Sequence, residues 1–171
     1  MPDPSLPGEP VVLRPIGVIR TPFASLEGMP IQPGGAREVL GQVVLDPELA
    51  PALADVTGFS HVYLLYCFHQ SAGYKTTVTP YLDTTPRGLF ATRAPKRPNP
   101  IGLSVVEVVS VAGNVLTVRG IDVLDGTPLF DIKPYAPAFD APAGEVRSGW
   151  LDGRKDAVAS TRSDDRFVPE T

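Results

Sequence analysis

The chain has 171 residues, 43% of them apolar and 20% charged, with a formal net charge of −4 and an isoelectric point near 5.1. That length is one ordinary domain, able to bury roughly 70% of the surface that its unfolded chain exposes. The acidic balance excludes a protein that coats nucleic acid without selectivity, while leaving room for a local basic face.

Residues 1–9 read as a flexible leader with neither a positive n-region nor an apolar h-region, hence no secretory signal. Residues 11–19 are a first strand, broken by Pro15 and Gly17 near an edge. Residues 21–37 form a Pro/Gly-rich loop, and 39–45 a second strand. Asp46 followed by Pro47 sets an N-cap and a first-turn proline, opening a short helix to about Asp55. Residues 60–68 are the most strand-like run, rich in β-branched and aromatic residues. Period-two alternation puts His61, Tyr63, Leu65, Cys67 and His69 on one face, with Val62, Leu64, Tyr66, Phe68 and Gln70 on the other. Shorter strands follow at 76–81 and 88–92.

Residues 93–104 then bring Pro95, Pro98 and Pro100, which fix three φ angles and withdraw three amide donors. With no acidic residue between Asp83 and Glu107, this stiff basic loop has the character of one that holds a ligand or a charged polymer. A rigid connection with solvated charges is the plainer account. Strands at 103–111 and 115–121 flank Ala112-Gly113-Asn114, read as a three-residue hairpin loop. Residues 129–132 are the last clear strand. The domain therefore spans 10–151, and 152–171 is a polar tail expected to be flexible.

About seven or eight short strands with one brief helix describe an antiparallel or mixed β-barrel. No βαβ alternation supports a doubly wound sheet. Twenty prolines and sixteen glycines agree with a loop-rich β architecture. A single cysteine, Cys67, allows no internal disulfide and fits a reducing, cytoplasmic compartment. No apolar run is long enough to cross a membrane as a helix. With two histidines and one cysteine, the sequence offers no second ligand cluster, so no metal is expected.

Dinucleotide, P-loop, nucleophile-elbow and zincin motifs are absent from the sequence. What remains are weaker signals, each with a plain alternative. Gln32-Pro33-Gly34 could let a backbone approach a ligand, or be a simple turn. His69-Gln70 ends a strand, facing a pocket or merely capping it. Asp122 could accept from a ribose hydroxyl or an ammonium group, and Asp125-Gly126 is a turn signal. Asp131 and Lys133 share one side of a strand, as an ion pair or as substrate contacts.

Taken in order, 16–23, 32–34, 58–61, 68–70, 88–93, 97–102, 125–128 and 131–135 resemble the TsaA-like, or TrmO, family of S-adenosylmethionine-dependent tRNA methyltransferases. The resemblance covers about 14–138, and its specificity lies in the joint order of the motifs. It implies a mainly β fold: a small closed β-barrel of seven or eight short strands with one or two short helices, outside the Rossmann class. It implies a homodimer with the cofactor site near the subunit interface, methylating the exocyclic amino nitrogen of threonylcarbamoyl-adenosine next to the tRNA anticodon. The cofactor contacts it implies are Gln32, Pro33, Gly34, His69, Gln70, Arg93, Leu103 and the turn Asp122, Val123, Leu124 and Asp125. Arg87, Lys96, Arg97 and Lys133 would supply the field for RNA, and Asp131, His69 and Asp125 are the candidate proton acceptors. A noncatalytic module that binds S-adenosylmethionine or tRNA, or a small-molecule methyltransferase, would keep the same pocket.

Overall fold

The computed structural model describes residues 11–26, 29, 36–153 and 163. Among them are eight strands: β1 (Gly17–Arg20), β2 (Leu40–Leu45), β3 (His61–Cys67), β4 (Thr77–Val78), β5 (Arg87–Gly88), β6 (Ile101–Ala112), β7 (Val115–Arg119) and β8 (Thr127–Pro134). Six of them close a barrel in the order β1-β2-β7-β6-β3-β8, and β4 pairs with β5 apart from it. All the pairings are antiparallel. The mainly β closed barrel is therefore as expected, with six strands in its wall rather than seven or eight.

Alternation fills the interior. Val62, Leu64 and Tyr66 of β3 are buried, while His61, Tyr63, Leu65 and Cys67 between them are not. Ile19, Val43, Val106, Leu116, Val118 and Leu129 complete a core in which each of these residues is at most 1% exposed. The barrel is thus packed by side chains and not hollow, as small barrels are.

Several boundaries differ from the sequence expectation for local reasons. Residues 11–16 stay outside β1, consistent with the missing amide of Pro15 and the fixed φ it imposes. The segment after Asp46 is a 3-10 helix, Pro47–Leu53, and Asp46 makes no side-chain cap bond. Pro51 inside it withholds an amide donor, which disfavours an α continuation. The expected strand at 88–92 is a two-residue strand running into a 3-10 turn, Leu89–Ala91. The β6–β7 loop has two residues, because Ala112 pairs with Val115. Gly113 sits at φ 59° as the first loop residue, the conformation a II′ turn demands. A short helix α1 (Pro137–Asp140) follows β8. The leader lies outside the described residues, as does the tail except 152, 153 and 163.

In an antiparallel barrel, successive connections alternate between the two rims. The connections 21–39, 68–100 and 120–126 all leave from one rim, joining β1 to β2, β3 to β6 and β7 to β8. Segments 68–100 and 120–126, which carry most of the described candidate residues, are therefore brought to the same end of the barrel.

Candidate functional site

At that rim lies a cavity of about 1090 Å³, at the upper end of the size of small-ligand sites. His69, Gln70, Arg93, Leu103, Asp122, Val123, Leu124 and Arg97 all line it. They come from two loops and the start of β6, so only the fold makes them neighbours. Gln32, Pro33 and Gly34 lie outside the described residues. Leu26, Met29 and Ser163 do line the cavity, and Ser163 donates to the Met29 carbonyl through its backbone N–H (2.9 Å) and to that of Leu26 through its hydroxyl. One residue of the expected tail is thus part of the wall.

Of the polar floor, Asp122 is among the contacts that the resemblance implies, whereas Ser104 and Tyr66 are not. Ser104 donates to Asp122 Oδ1 at 2.7 Å. Its only proton being used there, the Tyr66 hydroxyl 3.0 Å away must be the donor to Ser104. Ser104 and Tyr66 are 2% and 4% exposed. The sequence did carry a signal for them: Tyr66 falls on the inward face of β3, and Ser104 is a hydroxyl inside an apolar strand.

Burial in this enclosed wall pushes the Asp122 carboxyl up to about 6, with the Ser104 hydrogen bond and the Arg93 charge pulling the other way. What surface Asp122 keeps opens into the cavity. Burial, and then the Asp122 charge, push the Tyr66 phenol well above the ordinary tyrosine range, so it stays a neutral hydrogen-bonding group. Tyr66 also packs edge-on against Phe68, with centroids 5.4 Å apart.

His69 is oriented by its neighbour. Thr127, 2% exposed, donates to the Leu124 carbonyl at 2.8 Å. The contact of its oxygen with His69 Nδ1, at 3.4 Å, is then one in which the imidazole donates. Nε2 is left as the basic nitrogen of the neutral ring.

The other candidates are placed elsewhere. Asp125 is not in the cavity wall: it accepts from the Thr21 amide at 3.0 Å and pairs with Arg20 at 3.4 Å. With Thr21 donating to the Val123 carbonyl at 2.8 Å, it staples two rim loops together. Asp131 lies farther along β8, paired with Lys133 at 2.8 Å while its neighbour Ile132 packs on the core. Neither Asp131 nor Lys133 lines the cavity: a register shift in β8 between Leu129 and Asp131 breaks the alternation, leaving Ile132 on the core side and these two on the outer face.

The basic residues divide as well. Arg87 is held by buried Asp83 at 2.9 and 2.7 Å, and its guanidinium lies 5.7 Å from the Trp150 ring centroid. Arg97 donates to the Thr92 carbonyl at 3.0 Å and covers Phe90 at 5.6 Å. Trp150, a cavity residue from far along the chain, donates to the Ala91 carbonyl at 2.8 Å. Arg87 therefore links Asp83 to Trp150 and Arg97 braces the start of the proline loop, while Arg93 and Arg97 both line the cavity and Arg87 does not. No group of three or more His, Cys, Asp or Glu able to hold a metal occurs among the described residues.

The chemistry of this donor set suits a cationic, partly apolar ligand. A carboxyl held near 6 by desolvation gains from a positive charge placed beside it. Apolar surface from Leu103, Val123 and Leu124 suits a heterocycle. S-adenosylmethionine has both features, an ammonium-bearing sulfonium chain and an adenine.

Comparison with known proteins gives the same direction. The tRNA-methyltransferase O N-terminal domain family matches residues 18–141. A probable S-adenosyl-L-methionine-binding protein of Pyrococcus abyssi is 46% identical over 157 residues, covering 92% of this chain and 85% of that one. The tRNA (adenine(37)-N6)-methyltransferase of Escherichia coli is 40% identical over 153 residues, 77% of this chain and 65% of that one. The crystal structure of TrmO from Pseudomonas aeruginosa superimposes with a TM-score of 0.70 at 40% identity, covering 84% of this chain and 64% of that one. The chain thus spans just under two thirds of these last two proteins.

Proposed function

The chain belongs to the tRNA-methyltransferase O N-terminal domain family, and on that premise we propose that it transfers a methyl group from S-adenosylmethionine to tRNA. The acceptor is the exocyclic amino nitrogen of threonylcarbamoyl-adenosine beside the anticodon. The observation that carries this reading is the convergence of His69, Gln70, Arg93, Leu103, Asp122, Val123 and Leu124 on one cavity.

When bound, the cofactor supplies a methyl on a sulfonium, already an excellent leaving group, so the protein has to align the reactants and exclude water. Asp122 holds the positive end, and its tie to Ser104 and Tyr66 fixes the carboxylate's position. His69 and Gln70 close the wall nearest Thr127. Once the amino nitrogen has attacked, it sheds a proton, and Nε2 of His69 is the acceptor the geometry favours over Asp125 and Asp131. Arg93 and Lys96 draw the RNA backbone to the rim.

The working unit is a homodimer with the cavity near the subunit interface, acting in the cytoplasm, where the lone Cys67 stays reduced. The test is methyl transfer from labelled S-adenosylmethionine to threonylcarbamoylated tRNA. Label on the adenosine next to the anticodon is expected, with loss of most turnover in His69→Ala. Tight cofactor binding without label on any tRNA would refute the catalytic reading.

A further inference from the structure

Beside the main cavity lies a second, shallower cleft of about 240 Å³, lined by Tyr74, Thr76, Gly88, Leu89, Phe90, Ala91 and Pro98. None of these seven residues is charged. Phe90 and Ala91 line both the cleft and the cavity, so the two share a wall. Phe90 is 81% exposed and Tyr74 56%, although both are rings that water solvates poorly. The strands β4 and β5 and the braced proline loop hold these aromatics in place: Leu89 donates to the Thr76 carbonyl at 2.9 Å, and Arg97 lies over Phe90.

The charge around the cleft runs against that of the chain. Residues 56–106 contain Lys75, Arg87, Arg93, Lys96 and Arg97 against a single carboxylate, Asp83, a net of +4. The rest of the chain therefore carries −8 of the overall −4. That one carboxylate is buried and neutralised by Arg87, so this stretch of chain presents no acid of its own to an approaching polyanion.

We propose that this cleft receives a second nucleobase of the RNA, a neighbour of the adenosine being methylated, stacked against Phe90 and Tyr74. The inference rests on the tRNA reading above and adds to it a place for a flanking base. Recognition of single-stranded loops works in this way, by splaying bases onto aromatic side chains while cations hold the phosphates between them. The shared wall sets the spacing: a base at Phe90 lies one residue's width from the cavity in which its neighbour reacts. Lys75, exposed next to Tyr74, is placed to meet the phosphates of such a strand.

The test uses Tyr74, which borders the cleft and not the cavity. An anticodon stem–loop RNA with an adenosine 3′ of the anticodon is titrated into wild type, Tyr74→Ala, Tyr74→Phe and Phe90→Ala, at fixed salt. S-adenosylmethionine is titrated separately into wild type and the Tyr74 variants, and sedimentation gives the oligomeric state of each protein. Loss of one stacking contact should weaken RNA binding about tenfold in Tyr74→Ala and in Phe90→Ala. Tyr74→Phe should keep it within about twofold, since the stacking face is retained, and cofactor affinity should be the same in all the proteins titrated with it. Unchanged RNA affinity in both alanine variants would overturn the proposal. So would a loss that coincides with dissociation of a dimer, which would mark the cleft as the seat of a second copy of the chain. Wild type that binds cofactor but no RNA would overturn this proposal together with the tRNA reading, whereas absence of cofactor binding would strike the cavity assignment by itself.

Discussion

Asp122 illustrates how a residue can be unfavourable for folding and useful for binding. Burial pushes its carboxyl up to about 6 from an ordinary value of 3.8, so the folded state holds the proton more tightly. A raised acid pKa contributes stability below the unfolded value and loses it as pH climbs through the folded one. Between pH 4 and 6 the ionising carboxyl therefore works against the fold, by at most about 3 kcal/mol once titration is complete. Asp122→Asn keeps an acceptor for Ser104 and removes the charge. At pH 7.5 the variant is expected to resist urea better than wild type, the difference vanishing near pH 4. Its affinity for S-adenosylmethionine should fall at least tenfold. A variant less stable than wild type at pH 7.5 would show that the buried charge is already compensated.

At the scale of elements, the pairing of β3 with β6 sets the floor of the cavity. Gly102 lies opposite Tyr66, and a Cβ there would run into the Tyr66 ring. The ring lies over the glycine and so reaches Ser104. Gly102→Ala should force Tyr66 aside and destabilise the chain by about 1–3 kcal/mol, as overpacking does, and cofactor binding should weaken in parallel. Chemical denaturation and calorimetry read the two effects, and an alanine variant with both properties intact would mean that Tyr66 positions nothing. The strands themselves were readable from alternation, and so was the inward face of β3, since Val62, Leu64 and Tyr66 share its period. The cross-strand partner of Tyr66 was not readable, because register comes from barrel closure and not from local pattern. For the same reason Asp131 and Lys133 could be placed on one side of a strand, but not on the outer side.

The whole molecule separates two tasks by charge and by rim. Connections 68–100 and 120–126 on one rim, with Leu26 and Met29, assemble most of the cavity, and the packed barrel beneath keeps them in register. Connection 68–100 carries five basic residues against one acid despite the chain's acidic total, a distribution that attracts a polyanion to that side of the cavity mouth. The order of the motifs along the sequence picked out segments whose residues His69, Gln70, Arg93 and Asp122 line one cavity. It could not foretell that Arg87 and Arg97 would be used as braces, since their partners Asp83, Thr92 and Phe90 are met only in the folded loop. The proposed chemistry depends on an enclosed carboxylate receiving a sulfonium nucleoside. Calorimetric titration of the wild-type protein with S-adenosylmethionine across pH tests that most directly. One site per chain is expected at pH 7.5, with affinity falling about tenfold by pH 5 as Asp122 takes up its proton. No heat at millimolar ligand, or an affinity flat across that range, would contradict it.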